Sequence, residues 1–130
     1  RTVDVIKNVI ERLINCIGFG LEALLKYARE KKLITSIPAN AGLRCDLLKK
    51  TFPDNLELID YINFYLRLRK LSRAEYTRRE EFRRHVTMIA TIDKGEVVEV
   101  SIDSLKEDYG KTRNFIAFVK KIINEEKEEN

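Results

Sequence analysis

From Thr2 to about Lys32 the apolar residues return at helical intervals. Val5, Ile6, Val9, Ile10, Leu13, Ile14, Ile17, Leu21, Leu24, Leu25 and Ala28 fall on one stripe. The pattern predicts a first helix of about 30 residues, about 45 Å long. Gly18 and Gly20 interrupt it, so the helix either bends there or lets another helix approach closely, a second subunit included. Thr35 to Asn40 reads as a connection, with Asn40 placed to cap a short second helix over 40–51 that carries Leu43, Leu47 and Leu48. Phe52-Pro53 ends that helix, because proline disfavours the helical conformation in the residue before it.

A third helix is predicted over 54–84, opening at Asp54 with Glu57 three residues on. Its apolar residues, Leu56, Leu58, Ile59, Tyr61, Ile62, Phe64, Tyr65, Leu66, Leu68 and Leu71, cover nearly the whole circumference. Such a helix is expected at the centre of the fold. At Val86 the period changes to β-branched, partly alternating runs, Val86–Ile92 and Val97–Ile102. Asp93-Lys94-Gly95-Glu96 offers the turn between them, giving a hairpin over about 86–102. Ser104 with Glu107 is a second capping box, opening a last helix over 104–126. The expected fold is mainly α: a four-helix up-and-down bundle with a β-hairpin before the last helix, in one domain spanning 1–130.

Composition narrows the functional classes. Apolar residues make up 44% and charged residues 35%, with five Gly and two Pro, the balance of a helical globular domain. No apolar run reaches the roughly 18 residues that a membrane span needs. No secretory leader is visible, so the expected location is cytoplasmic, and the start at Arg1 rather than Met suggests a segment upstream. The chain has no Gln beside abundant Glu, Lys and Arg, a bias of heat-adapted proteins. Cys16 and Cys45 with one His offer no metal-ligand spacing; they read as reduced core thiols, a bridge between them remaining open. No metal or cofactor is expected, since no phosphate-cradling glycine loop or nucleophile motif is present.

Charge changes the picture. The chain carries a net +4, yet residues 67–84 alone hold eight basic side chains against three carboxylates, so the positive character belongs to that segment. Within RAEYTRREEFRRHV, residues 73–86, Glu75–Arg79, Glu80–Arg84 and Glu81–His85 are spaced as helical i,i+4 pairs, which would make this a self-paired, solvated helix end. The excess of arginine suits phosphate, which guanidinium grips with two parallel hydrogen bonds. The candidate nucleic-acid contacts are Arg67, Arg69, Lys70, Arg73, Arg83 and Arg84 with Tyr76; Tyr65 and Phe82 are either base-stacking or core residues. The acids Asp93, Glu96, Glu99 and Asp103 read as solvated. His85 is the one imidazole, able to take a proton near neutrality. On a straight helix it shares a face with Arg78 but not with Arg79.

The helix order, LRLRKLSRAEYTRREEFRRH before the last helix, and the Leu105 to Val119 stripe resemble the HEPN families of archaea and bacteria, relatives of nucleotidyltransferase-associated subunits. The resemblance implies a homodimer, with RNA, a nucleotide or a nucleotidyltransferase-type protein as partner. In active members an Arg followed by four to six residues and a His forms a metal-independent ribonuclease site at the dimer interface. Carried over, that implies His85 with Arg79, or with Arg78 at the upper limit of the spacing. Two departures stand out: Glu80 follows Arg79, and His85 directly precedes a predicted strand. The expected function is therefore a non-catalytic binding domain. A ribonuclease of toxin or defence type and a structural oligomerisation protein are the alternatives.

Overall fold

The structure is a computed structural model that describes residues 3–81 and 85–129, the side chains of Glu80, Glu81, His85 and residues 126–129 excepted. It is mostly helical, with a small antiparallel sheet between its third and fourth helices. The elements run α1 (Val3–Glu30), α2 (Ala41–Thr51), α3 (Leu56–Arg73), β1 (Glu75–Glu81), β2 (His85–Ile92), β3 (Glu96–Val100) and α4 (Ile102–Glu129). The expected hairpin is present as β2 and β3. Between them a single helical turn, Asp93–Gly95, holds Lys94 and Gly95 at positive φ.

The third helix is shorter than expected. It ends at Arg73, and residues 75–81 form a strand rather than eleven further helical residues. The reason lies in burial. The buried side chains of α3 are Leu58, Tyr61, Ile62, Tyr65, Leu68 and Leu71. Beyond Leu71 a helix would have no apolar face to bury, and i,i+4 charge pairs worth about 0.2–0.5 kcal/mol each cannot hold it. As a strand, the same residues satisfy their backbone groups against β2. Ala74 makes the switch, with extended backbone and its N–H donated to the Leu71 carbonyl at 3.3 Å.

The sheet order is β1-β2-β3, so β2 is the central strand. Met88 pairs with Arg78 on one side and with Val100 on the other. Met88, Ala90 and Val100 are buried, and β2 packs against α1 and α3. A hairpin of β2 and β3 alone would be marginal; the third strand and the helices beneath one face make it stable.

The helix at the centre is α1 rather than α3. It buries eleven residues and packs against α2, α3, α4 and β2, whereas Leu56 on α3 is 75% exposed. The glycines explain how α1 receives its neighbours. A Cβ on Gly20 would lie 2.6 Å from Cε2 of Phe115, a wholly buried ring on α4. The close approach is made by a helix of the same chain. At Gly18 the nearest atom to such a Cβ is the Tyr65 hydroxyl, at 3.7 Å, an ordinary contact. Phe115 in turn packs on Tyr61 and Phe118, with ring centroids 5.1 and 6.4 Å away.

Two caps differ from expectation by a few residues. Asn55, not Asp54, caps α3 and accepts from the Leu58 amide at 3.0 Å. The capping box of α4 is Ser101 with Ser104: the Ser101 amide donates to Ser104 Oγ at 2.9 Å and the Ser104 amide to Ser101 Oγ at 3.2 Å. Asn40 caps α2 as expected, accepting from the Leu43 amide at 3.0 Å. Both cysteines are free thiols, Cys16 exposed and Cys45 buried; burial pushes the Cys45 thiol up to about 11.

Gly20→Ala should lower the urea midpoint, because overpacking costs about 1–3 kcal/mol and exceeds the propensity gain of about 1 kcal/mol. Gly18→Ala should leave it unchanged or raise it. The opposite ranking in urea melts would refute the close-approach account.

Candidate functional site

The acids of the sheet meet the cations of α3. Arg67 Nη2 donates to Glu96 Oε2 at 3.0 Å, and Lys70 Nζ to Asp93 Oδ2 at 2.5 Å. These two pairs join the last turns of α3 to the β2–β3 turn. On the sheet itself Arg79 Nη1 donates to Glu99 Oε1 at 2.7 Å, spanning β2 from one outer strand to the other. Asp93, Glu96 and Glu99 are therefore partners of the basic segment rather than unengaged acids. Asp103 sits 3.8 Å from Lys106 of its own helix.

Strand geometry also revises the internal pairing of 73–86. Residues four apart on a strand are about 13 Å apart, so Glu75 and Arg79 cannot form the helical pair that their spacing suggested. On the β1–β2 ladder Arg79 faces Thr87 and Glu81 faces His85, while Arg78 faces Met88. Arg79 and position 85 thus share one parity of the ladder and Arg78 has the other, the reverse of the helical expectation. The His85 side chain, Arg83, Arg84 and Phe82 lie outside the described residues. Of the remaining aromatics, Tyr65 is a core residue with 6% exposure, and Tyr76 is 42% exposed with Lys7 Nζ 4.9 Å from its ring centroid.

Two of the segment's cations have no carboxylate partner among the described residues: Arg69 and Arg73. One helical turn apart, they share the side of α3 turned towards α2. Arg69 lies over the Tyr65 ring at 5.6 Å. Both line a groove of about 680 Å³ with Lys70, Asn40, Gly42 and Glu75. A smaller concavity of about 230 Å³ lies beside it, sharing Arg69 and adding Arg44, Tyr65 and Gly18. Arg44 Nε donates to the Pro38 carbonyl at 2.6 Å, which braces the guanidinium at the edge of that concavity.

The start of α2 therefore stands between the two hollows, with Arg44, Arg69 and Arg73 around it. The positive end of a helix dipole adds to the same field. Gly42 leaves the backbone open: a Cβ there would come within 3.2 Å of Asn40 Oδ1. Arg44 is the site residue that the sequence pattern did not single out. Asn40 marked the cap, but nothing local to Arg44 says that α2 docks beside the far end of α3.

Compared with protein-family models, curated proteins and solved structures, the chain matches none. Among the described residues no cluster of His, Cys, Asp or Glu is placed to hold a metal ion, and no helix is long and apolar enough to cross a membrane.

The Arg79–Glu99 pair is open to a direct check. The Arg79 hydrogen bond, then its charge, holds the Glu99 carboxyl below the usual carboxylate range. Its depressed folded value means that the pair's contribution is present above the unfolded pKa and lost as pH falls through the folded one. NMR titration should find Glu99 with the lowered midpoint and Arg79→Ala should return it to the ordinary value; an ordinary midpoint in the parent chain would remove the pair.

Proposed function

We propose that this chain is a HEPN-like domain, its four helices an up-and-down bundle, that binds the phosphates of RNA non-catalytically in the groove between the start of α2 and the end of α3. The observation that carries the reading is the pair Arg69 and Arg73, a turn apart and without a carboxylate partner among the described residues, beside Arg44 and the N-terminus of α2. Three other basic side chains of the segment have a different part. Arg67 and Lys70 are occupied by Glu96 and Asp93 and position the sheet against α3, while Arg79 is occupied by Glu99 and ties the two outer strands together. Binding is then local, through three guanidinium groups rather than a broad basic face.

That number sets the expected salt dependence. With three phosphates neutralised on a single strand, log K should fall against log salt with a slope of roughly −2. Fluorescence anisotropy with a labelled single-stranded RNA measures it. Arg69→Glu with Arg73→Glu should abolish binding while the thermal melt holds, and Arg67→Ala should have little effect. Binding that survives the double reversal, or a slope steep enough to need all the basic residues, would refute this site.

A second reading, metal-independent RNA cleavage, is favoured by one observation: Arg79 and position 85 share a parity of the β1–β2 ladder. Its expectation is RNA cleavage in EDTA that is lost in His85→Ala with the melt unchanged. An intact RNA substrate after prolonged incubation with the parent chain leaves the binding reading alone.

A further inference from the structure

A second groove lies on the opposite side of α1, between α1 and α4, with a volume of about 600 Å³. Its floor is apolar, built by Val9, Leu13 and Ile116. Tyr109 forms part of its wall at 57% exposure, although it occupies a position on the apolar stripe of α4. Val5, one turn before Val9, extends the same face at 43% exposure. The concavity runs along α4 from Tyr109 to Lys120, about 16 Å or three helical turns. A trough between two helices, floored by aliphatic side chains and three turns long, has the dimensions of a helix-binding site.

Charge specifies the occupant. The described residues lining the trough include three cations, Arg12, Arg113 and Lys120, and no anion. They come from both helices, so the apolar strip has positive charge on each side. From this we infer that the α1–α4 groove receives an amphipathic helix of another protein, its apolar stripe flanked by carboxylates. A second copy of this face is a poor fit. Two-fold self-docking sets a patch against itself, so the same three cations would meet their equals across a desolvated seam. Carboxylates on a partner helix would pair with them at the rim, where complementary charge raises the association rate and selects the partner. This inference does not depend on the RNA reading, since the two grooves share no residue.

The groove contains its own reporter. Cys16 lines it and is exposed, whereas Cys45 is buried. A thiol reagent should therefore modify Cys16 first, and Cys16→Ser should remove that fast phase. The probes are two synthetic helix-forming peptides with the same Leu stripe, one flanked by Glu and the other by Lys. The Glu-flanked peptide should bind by anisotropy and slow Cys16 labelling at least tenfold; the Lys-flanked peptide should do neither. Arg12→Glu with Arg113→Glu, both exposed positions, should weaken the Glu-flanked peptide at least tenfold and leave RNA binding unchanged. The inference fails if neither peptide binds, or if both bind alike. It also fails if the chain alone shields Cys16 in a concentration-dependent way, since a second copy would then be the occupant.

Discussion

Helix α3 continues only as long as it has side chains to bury. Leu58, Tyr61, Ile62, Tyr65, Leu68 and Leu71 hold it against the core, and after Leu71 that supply ends. Most helical stability in proteins comes from such a face, not from propensity. The chain then has an edge of polar residues whose backbone groups still require partners. Strand pairing with β2 supplies them, and the geometry of that switch decides where Arg78 and Arg79 end up. Had the helix continued, the face that carries Arg69 and Arg73 would have run on through Tyr76, Thr77 and Glu80, with Arg78 and Arg79 on other sides of it. As a strand, they belong to a sheet whose other members supply acids.

The result is sorting of charge. Arg67 lies on the side of α3 that meets the β2–β3 turn, and Lys70 stands at the boundary; both find carboxylates there. Arg69 and Arg73 lie on the side towards α2, where the lining acids are Glu75, the already engaged Asp93 and, in the smaller concavity, Glu22, itself 3.6 Å from Lys26. Exposed pairs of this kind contribute little stability, typically below about 1 kcal/mol each. Their effect is on registration: they fix the angle at which a small sheet sits on the end of a helix. A segment that reads as a uniform basic patch is thus two pairs that orient the sheet on α3, one pair that ties its outer strands, and a much smaller set available to an anion.

The helices and the β2–β3 hairpin were legible because their signals are local. Asn40 before a short apolar run marks a helix start, Phe52-Pro53 marks an end, and Asp93-Lys94-Gly95-Glu96 marks a turn. The fate of residues 75–81 was not legible in that way. EYTRREE has neither a helical stripe nor a clear alternation, so its structure depends on what lies beside it in space. Ion pairs such as Arg67–Glu96 join residues 29 apart in sequence, and no spacing rule anticipates them. The same holds for Arg44, which gains its place only when α2 docks. Gly20 lay between these cases: the pattern marked either a bend or a close approach, and only the fold shows an approach whose partner is Phe115 of the same chain.

That contact also explains why α1 can serve two surfaces. With Gly20 admitting the Phe115 ring, α4 comes close to α1 at its centre, and the rest of the α1 circumference is divided between neighbours. Asn15, Gly18 and Glu22 wall the concavity that leads to Arg69, while Val9, Arg12 and Cys16 wall the opposite trough. A larger residue at position 20 would lever α4 outward, altering the trough directly and the Arg69 side only through α1. Separate chemistry on the two sides, guanidinium around a helix start on one and an apolar strip between cations on the other, follows from a central helix that is buried along one stripe and shared along its margins.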